Sequence, residues 1–84
     1  MASQITIDIE KLYVNTYTAK LIDLPVYMRI AEEMAGYDNE VTLTGKGPIW
    51  LYLKVAHALH GKVRKLKYNS PVTGDVVIYD HSPD

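Results

Sequence analysis

Two histidines, a lysine and a tryptophan share one side of a predicted helix at residues 48–60. With about 100° of rotation per residue, Lys54 and His60 lie about 60° to either side of His57. Trp50 falls within the same arc, whereas the remaining positions are almost all apolar. Imidazoles transfer protons near neutral pH, a lysine holds an anion, and an indole stacks on flat rings. This combination is typical of a site for a phosphorylated ligand.

The turn before this helix is a second candidate site. Gly45, Lys46 and Gly47 follow a predicted strand at residues 41–44, and Pro48 fits the first helical position. Such a turn presents backbone N–H groups and the positive end of the helix dipole, and both favour anions. The spacing differs from that of a nucleotide-triphosphate loop, so hydrolysis of a nucleoside triphosphate is not expected.

Other interpretations of the histidines stay open. His57 and His60 are spaced like metal ligands, but the helix has no carboxylate to complete such a site. A cation at His60 would also stabilise the last helical turn, and His57 is equally compatible with a core or interface position. No serine lies on a nucleophile turn, and the lack of cysteine excludes a thiolate nucleophile or metal site.

Composition predicts one small domain, residues 1–84, with a modest core and a tendency to dimerise. The net charge is only -1, but cations concentrate in the second half, where an anionic partner would bind. These cations are Lys54, Lys62, Arg64, Lys65 and Lys67. The chain has no apolar run of about 20 residues and no recognisable signal peptide, so we expect a soluble cytoplasmic protein.

Hydrophobic periodicity predicts two strands, a helix, a strand, a helix and two strands, in the order ββαβαββ. The predicted strands lie at residues 4–9, 13–22, 41–44, 62–68 and 75–79, and the helices at residues 24–34 and 48–60. Gly36 and Gly61 are expected to end the helices. We therefore expect an α+β domain with a single, mainly antiparallel sheet of about five strands and two helices packed on it. This order is also compatible with a local parallel pairing across a helix.

The motif at residues 44–52 (TGKGPIWLY), followed by residues 56–60 (AHALH), resembles the small ring nucleases of type III CRISPR systems, the third ring nuclease type. The similarity continues more loosely through the terminal hairpin at residues 68–81. It implies a homodimer, with two dimers enclosing one cyclic tetra-adenylate, and a manganese-dependent opening of that ring. This reaction would switch off the antiviral signal. No DNA or membrane partner is expected, and the metal ligands are unknown.

The resemblance also implies roles for individual residues. His60 matches the functional histidine at the end of the family's helix and would act as general acid or base. His81 matches the histidine that closes the last strand. Lys46 and the backbone of Gly45 and Gly47 would hold phosphate, with Trp50, Lys54 and His57 on the ligand-facing side of the helix.

One position departs from the family pattern. The family usually has an aspartate after the hairpin tyrosine and an arginine two residues later, whereas here Asn69 follows Tyr68 and Pro71 replaces the arginine. Asparagine can orient a phosphate or a water but cannot accept a proton, so Asp75 or Asp80 is the candidate substitute. The candidates for catalysis are His60, Asn69 and Asp75.

Two alternatives to the nuclease stay open, and the departure at Asn69 favours the first of them. The first alternative is a binder that sequesters or senses a cyclic oligoadenylate without cutting it. The second is an interaction domain whose tryptophan and tyrosines line an oligomer interface.

Overall fold

The computed structural model describes residues 3–13 and 18–81. Within these ranges the strands are β1 (Gln4–Asp8), β2 (Glu40–Thr44), β3 (Lys65–Ser70) and β4 (Gly74–Asp80), and the α-helices are α1 (Leu24–Ala35) and α2 (Ile49–Leu59). Short 3₁₀ helices at Ile9–Tyr13 and Leu21–Asp23 lie between β1 and α1. None of the described helices is long and apolar enough to cross a membrane.

The four described strands form one mixed sheet in the order β1-β2-β3-β4. β2 is parallel to both β1 and β3, and only β3 and β4 are antiparallel. The α+β class with two helices on one sheet is confirmed. The mainly antiparallel sheet of five strands is wrong, because α1 and α2 each return the chain to the end of the sheet where the preceding strand began. The two crossovers move along the sheet in the same direction, and their helices lie on one face of the sheet, where they contact each other.

The predicted strand at residues 13–22 has no counterpart among the described strands. Residues 14–17 of this range lie outside the described residues, Tyr13 ends the first 3₁₀ helix, and Leu21 begins the second. Tyrosine and threonine favour strands only weakly, and context overrides that preference. Here β2 supplies the described neighbour of β1, so the connection leads to α1 on the face of the sheet.

The core lies between the sheet and the two helices. Ile7, Val41, Leu43 and Leu66 alternate with partly or fully exposed residues along their strands and are buried under the helices. The helices bury Tyr27, Ala31, Ala35, Leu51, Val55 and Leu59 against them. The register aligns Thr6, Thr42 and Lys67 on the opposite face of the sheet, so that face is largely polar.

The strand directions define two ends of the molecule. β1, β2 and β3 run from what we call the lower end to the upper end, and β4 returns to the lower end. α2 begins after the upper end of β2 and finishes at the lower end, where Gly61 adopts a positive φ of 93°. Gly36 and Gly61 therefore end the helices as predicted, whereas Pro48 lies one residue before α2, at its N-cap.

Candidate functional site

Three aromatic rings meet at the lower end. The ring centroids of His60 and His81 are 5.0 Å apart, and Tyr79 lies 5.2 Å from the first and 4.8 Å from the second. The structure thus brings together the two histidines that the resemblance singled out. We call His60, Tyr79 and His81 the ring cluster.

Backbone contacts hold the ring cluster in place. The Tyr79 hydroxyl donates to the Leu59 carbonyl at 2.9 Å, which ties β4 to the last turn of α2. The His81 N–H donates to the Arg64 carbonyl at 2.7 Å, which ties the end of β4 to the start of β3. Burial raises the pKa of Tyr79, so its hydroxyl keeps its proton and remains a donor.

A cleft of about 370 Å³ opens beside the ring cluster. Its walls include His60, Lys62, Arg64, His81 and Asp38. Two of these residues are cations and two are imidazoles. The cleft can therefore attract an anion and also supply groups that move protons.

The cations of this cleft are already oriented by neighbouring groups. Arg64 donates from Nη2 to Asp38 at 2.7 Å and from Nε to the same carboxylate at 3.3 Å. This hydrogen bond lowers the pKa of Asp38 and raises that of Arg64, so both stay charged. Lys62 donates from Nζ to the Glu32 carbonyl at 3.0 Å and lies 4.6 Å from the centre of the Tyr37 ring. A guanidinium has five N–H donors, so Arg64 can bind Asp38 and a phosphate at once.

Sequence reasoning missed the roles of Asp38, Arg64 and Tyr79. In the sequence, Lys62 and Arg64 stand out only as members of a basic run. The signal that could have found the pair was strand order: Asp38 precedes β2 and Arg64 precedes β3, and residues before adjacent parallel strands meet at one end of a sheet.

The other candidates for catalysis lie at the upper end, on the polar face. Asn69 donates from Nδ2 to Asp75 at 2.9 Å and accepts from the Thr44 hydroxyl at 3.4 Å. Lys67 lies 3.5 Å from the Asp75 carboxylate. The Asn69 hydrogen bond first, and then the Lys67 charge, lower the pKa of Asp75. Asp75 is therefore a carboxylate at neutral pH, suited to accept hydrogen bonds rather than to donate a proton.

One chain does not bring His60 close to Asn69 or Asp75. His60 lies near the start of β3, whereas Asn69 is near its end, and four residues of parallel strand span about 13 Å. A reaction that uses both groups therefore needs residues from two copies of the chain.

The predicted phosphate turn packs against β1 and the 3₁₀ helix that follows. A Cβ on Gly45 would lie 2.1 Å from the Asp8 carboxylate, and one on Gly47 would lie 2.6 Å from Ile9 Cγ2. The Lys46 N–H donates to the Glu10 carboxylate at 3.3 Å. The glycines thus permit close packing, and two carboxylates stand next to the backbone that was expected to hold phosphate. Because two negative charges repel a phosphate, their position disfavours phosphate binding by the turn. No observation tests this binding directly, so it stays a prediction.

Two tyrosines complete the contacts of this turn. The Tyr13 hydroxyl donates to the Lys46 carbonyl at 2.8 Å, and the Tyr52 hydroxyl donates to the Gly45 carbonyl. Burial raises the pKa of Tyr52 to about 12, which keeps it a donor. These contacts make the turn a rigid joint between β2 and α2.

The predicted ligand-facing side of α2 is mostly solvent-exposed. Lys54 and His57 are exposed, so the core position considered for His57 is not observed. Trp50 is half-buried and packs against the core. Lys54 and His57 lie outside the cleft beside the ring cluster, which we call the lower cleft, so any role in binding requires a ligand or subunit that covers α2.

The donor groups provide a test of the manganese site. Mn²⁺ prefers carboxylate, carbonyl and water oxygens as ligands. The ring cluster offers two imidazoles and no carboxylate, so it does not provide the ligands that Mn²⁺ prefers. Among residues 3–13 and 18–81, no three His, Asp or Glu side chains are grouped so that they could hold a metal ion. The described residues of one chain therefore do not assemble this site, and we assign no step of the reaction to a metal.

Comparison with known proteins gives a family match. No curated protein and no solved structure matches the chain significantly. The family described as CRISPR-associated protein (Cas_csx3) matches residues 14–84, which include α2, the ring cluster and the terminal hairpin. The chain therefore belongs to the Cas_csx3 family of CRISPR-associated proteins, which confirms the relationship predicted from residues 44–52 and 56–60.

Proposed function

We propose that this protein binds cyclic tetra-adenylate and opens its ring, which switches off type III CRISPR signalling in the cytoplasm. The observation that carries the proposal is the contact of His60 with His81 beside the Arg64 guanidinium. Membership of a CRISPR-associated family supplies the biological setting. The identity of the ring rests on the family resemblance alone.

The chemistry needs one group to remove a proton and one to deliver it. The ribose 2′-hydroxyl loses its proton to one imidazole of the ring cluster as its oxygen bonds to the neighbouring phosphorus. The bond from phosphorus to the 5′ oxygen breaks, and the leaving oxygen takes a proton from the second imidazole. The product is a linear strand ending in a 2′,3′-cyclic phosphate. His60 and His81 are near enough to each other to serve the two sides of one phosphate.

Arg64 and Lys62 would stabilise the phosphate during this exchange. Negative charge builds up on the non-bridging oxygens, and oriented cations stabilise such charge most when they need not move. Arg64 is held by Asp38, and Lys62 by the Glu32 carbonyl and the Tyr37 ring. We therefore assign phosphate binding to the lower cleft rather than to the turn at Lys46.

A second candidate function is binding without cleavage. The observation in its favour is the contact of Asn69 with Asp75, since these upper-end residues are engaged with each other and lie far from the histidines of their own chain. Such a chain would retain or sense the messenger. Asn69→Asp tests the cause of such a loss, because a restored acid raises cleavage only if the missing acid limits the reaction.

The deciding experiment uses purified protein and cyclic tetra-adenylate, with Mn²⁺ in one series and EDTA in another. Linear products resolved by chromatography support the nuclease. A shifted band on a native gel with the ring intact supports the binder. The absence of both products and shift would overturn both proposals and favour the interaction domain. The EDTA series tests the manganese dependence, which rests on the family resemblance alone.

A further inference from the structure

Tyr37 lies at the lower end of the molecule, in the loop between α1 and β2, and most of its surface is in contact with solvent. It is 78% exposed. The other tyrosines among residues 3–13 and 18–81 are buried or half-buried, namely Tyr13, Tyr27, Tyr52, Tyr68 and Tyr79. An aromatic ring that is not packed against its own chain is free to stack on the flat ring of a ligand.

The loop that carries Tyr37 is held in one conformation. Asp38 has a φ of 59°, which residues other than glycine seldom adopt. The Asp38 N–H donates to the Lys62 carbonyl at 2.7 Å, and the Asn39 side-chain amide donates to the Ala35 carbonyl at 2.8 Å. Unusual backbone angles fixed by such contacts are concentrated at binding sites. The backbone of Tyr37 is therefore already ordered before a ligand arrives, which lowers the entropic cost of binding.

Tyr37 forms part of the wall of a second cleft, which we call the α1 cleft. It encloses about 430 Å³, and its walls also include Met28, Arg29, Glu33 and Lys62. Lys62 lines both the α1 cleft and the lower cleft, so the two clefts adjoin at this side chain. A nucleotide with its phosphate in the lower cleft can therefore extend its base into the α1 cleft.

Lys62 also orients the Tyr37 ring. The Lys62 Nζ lies over the ring, 4.6 Å from its centre, and is held there by the Glu32 carbonyl at 3.0 Å. This contact covers one face of the ring. Because Tyr37 is 78% exposed, the other face is open to a base.

The charged side chains of the α1 cleft match the edge of adenine. Arg29 and Glu33 are exposed, and the ion pairs within the described part of the chain include neither of them. Adenine presents an amino group that donates and a ring nitrogen that accepts, which suit a carboxylate and a guanidinium. Guanine presents a carbonyl oxygen in place of the amino group, and a carboxylate repels it. The cleft therefore favours adenine over guanine.

We propose that the α1 cleft is an adenine subsite, in which Tyr37 stacks on the base of a nucleotide whose phosphate is bound by Arg64. The inference rests on the proposed function, because it takes phosphate binding by the lower cleft as its starting point. Tyr37 is a binding residue that selects the base, and it takes no part in proton transfer.

The first test measures the affinity for cyclic tetra-adenylate by calorimetry, with His60→Ala in every protein to keep the ring intact. Tyr37→Leu removes the flat ring and is expected to weaken binding at least about fivefold, the loss for one stacked base. Tyr37→Phe retains the ring and is expected to bind as tightly as the parent. Val26→Ala is the matched control, because Val26 is 42% exposed in α1 and lies outside the cleft. Circular dichroism verifies that each variant is folded.

The second test uses NMR with single nucleotides, so it does not depend on ring opening. Adenosine 5′-monophosphate is expected to shift the ring signals of Tyr37, and guanosine 5′-monophosphate to shift them less. Ribose 5-phosphate has no base and is expected to shift only signals of the lower cleft. Tyr37→Leu should weaken binding of the adenine nucleotide but not of ribose 5-phosphate, which separates stacking from the orientation of Lys62.

Three results would overturn the adenine subsite. They are full affinity of Tyr37→Leu for cyclic tetra-adenylate, unshifted Tyr37 signals with adenosine 5′-monophosphate, and equal losses for this nucleotide and ribose 5-phosphate. The proposed function fails separately. A chain that stacks the adenine nucleotide on Tyr37 but leaves the ring intact would contradict ring opening and retain the subsite.

Discussion

His60 and His81 meet because two separate contacts hold their backbones. Tyr79 ties β4 to the end of α2, and the His81 N–H is bound by the Arg64 carbonyl. The imidazoles themselves are exposed and face the lower cleft. The backbone of each histidine is thus held in place while its imidazole remains accessible to a ligand. Proton transfer to a ligand requires both.

If His60 is the proton-transfer group, His60→Ala lowers the rate of ring opening by about 10²- to 10⁴-fold. Binding changes much less, because Arg64 and Lys62 remain in the cleft. The measurements are single-turnover cleavage and a native gel shift with cyclic tetra-adenylate. His57→Ala is the matched control, since His57 is an exposed histidine of the same helix outside the cleft. Cleavage at the unchanged rate in His60→Ala would remove His60 from the mechanism.

Asp75 gives a prediction on pH and stability. The pKa of Asp75 is lowered in the folded chain, mainly by the hydrogen bond from Asn69. The charged carboxylate therefore stabilises the fold at any pH above about 3.9, the pKa of an aspartate in the unfolded chain. This stabilisation is lost as the pH falls through the lower pKa of the folded chain. We therefore expect Asp75→Asn to have a lower urea midpoint than the unchanged chain at pH 7. The difference should shrink as the pH falls below about 4. A difference that is independent of pH would mean that the charge of Asp75 does not stabilise the fold.

The turn between β2 and α2 illustrates how an element is positioned. Gly45 has a φ of 101° and its Cα lies against Asp8, while Tyr13 and Tyr52 bind the carbonyls of the turn. The turn therefore fixes where α2 begins. Because α2 is one continuous helix, the position of its first turn also determines the position of His60, which follows its last turn at the lower end of the molecule.

Gly45→Ala is expected to destabilise the fold more than Gly61→Ala. Both glycines have a positive φ, which costs an alanine about 1–2 kcal/mol. Only at Gly45 would the new Cβ also collide with Asp8, whereas Gly61 has no atom within 4 Å of that position. Urea unfolding of the two variants measures the difference. Equal losses would mean that Asp8 moves aside without cost.

At the scale of the whole molecule, the two ends differ in chemistry. The lower end has the ring cluster and the Arg64 guanidinium, whereas the upper end has the contact of Asn69 with Asp75. A cyclic ligand that touches several phosphate sites needs several copies of the lower cleft. This accords with the expectation, implied by the family resemblance, that two dimers enclose one ring.

We therefore expect cyclic tetra-adenylate to double the mass of the dimer, at one ring per two dimers. Light scattering measures the mass of the complex directly. The variant His60→Ala is used because it is expected to bind the ring without cutting it. Because the lower cleft would bind phosphates, the affinity should fall as the salt concentration rises. A linear tetra-adenylate of the same composition is the control ligand. A complex that keeps the mass of a dimer would contradict the enclosed ring.

Much of the local structure follows from the sequence. The alternation at residues 41–44, the apolar helix with its exposed side at Lys54 and His57, and the stops at Gly36 and Gly61 depend on neighbours within one or two turns of chain. The family relationship likewise follows from the short motifs at residues 44–52 and 56–60, and the matched range confirms it.

Contacts between distant parts of the chain were decided only by the tertiary structure. The parallel order of β1, β2 and β3 sets Arg64 against Asp38, and the return of β4 sets His81 against His60 while it keeps Asp75 at the other end. The packing of the turn places Glu10 at the backbone that the sequence assigned to phosphate. Periodicity tells which side of a strand is buried but carries no information on which strand lies beside it. The chemical character of α2 was therefore readable in the sequence, whereas the partners of its last histidine depended on the order of the sheet.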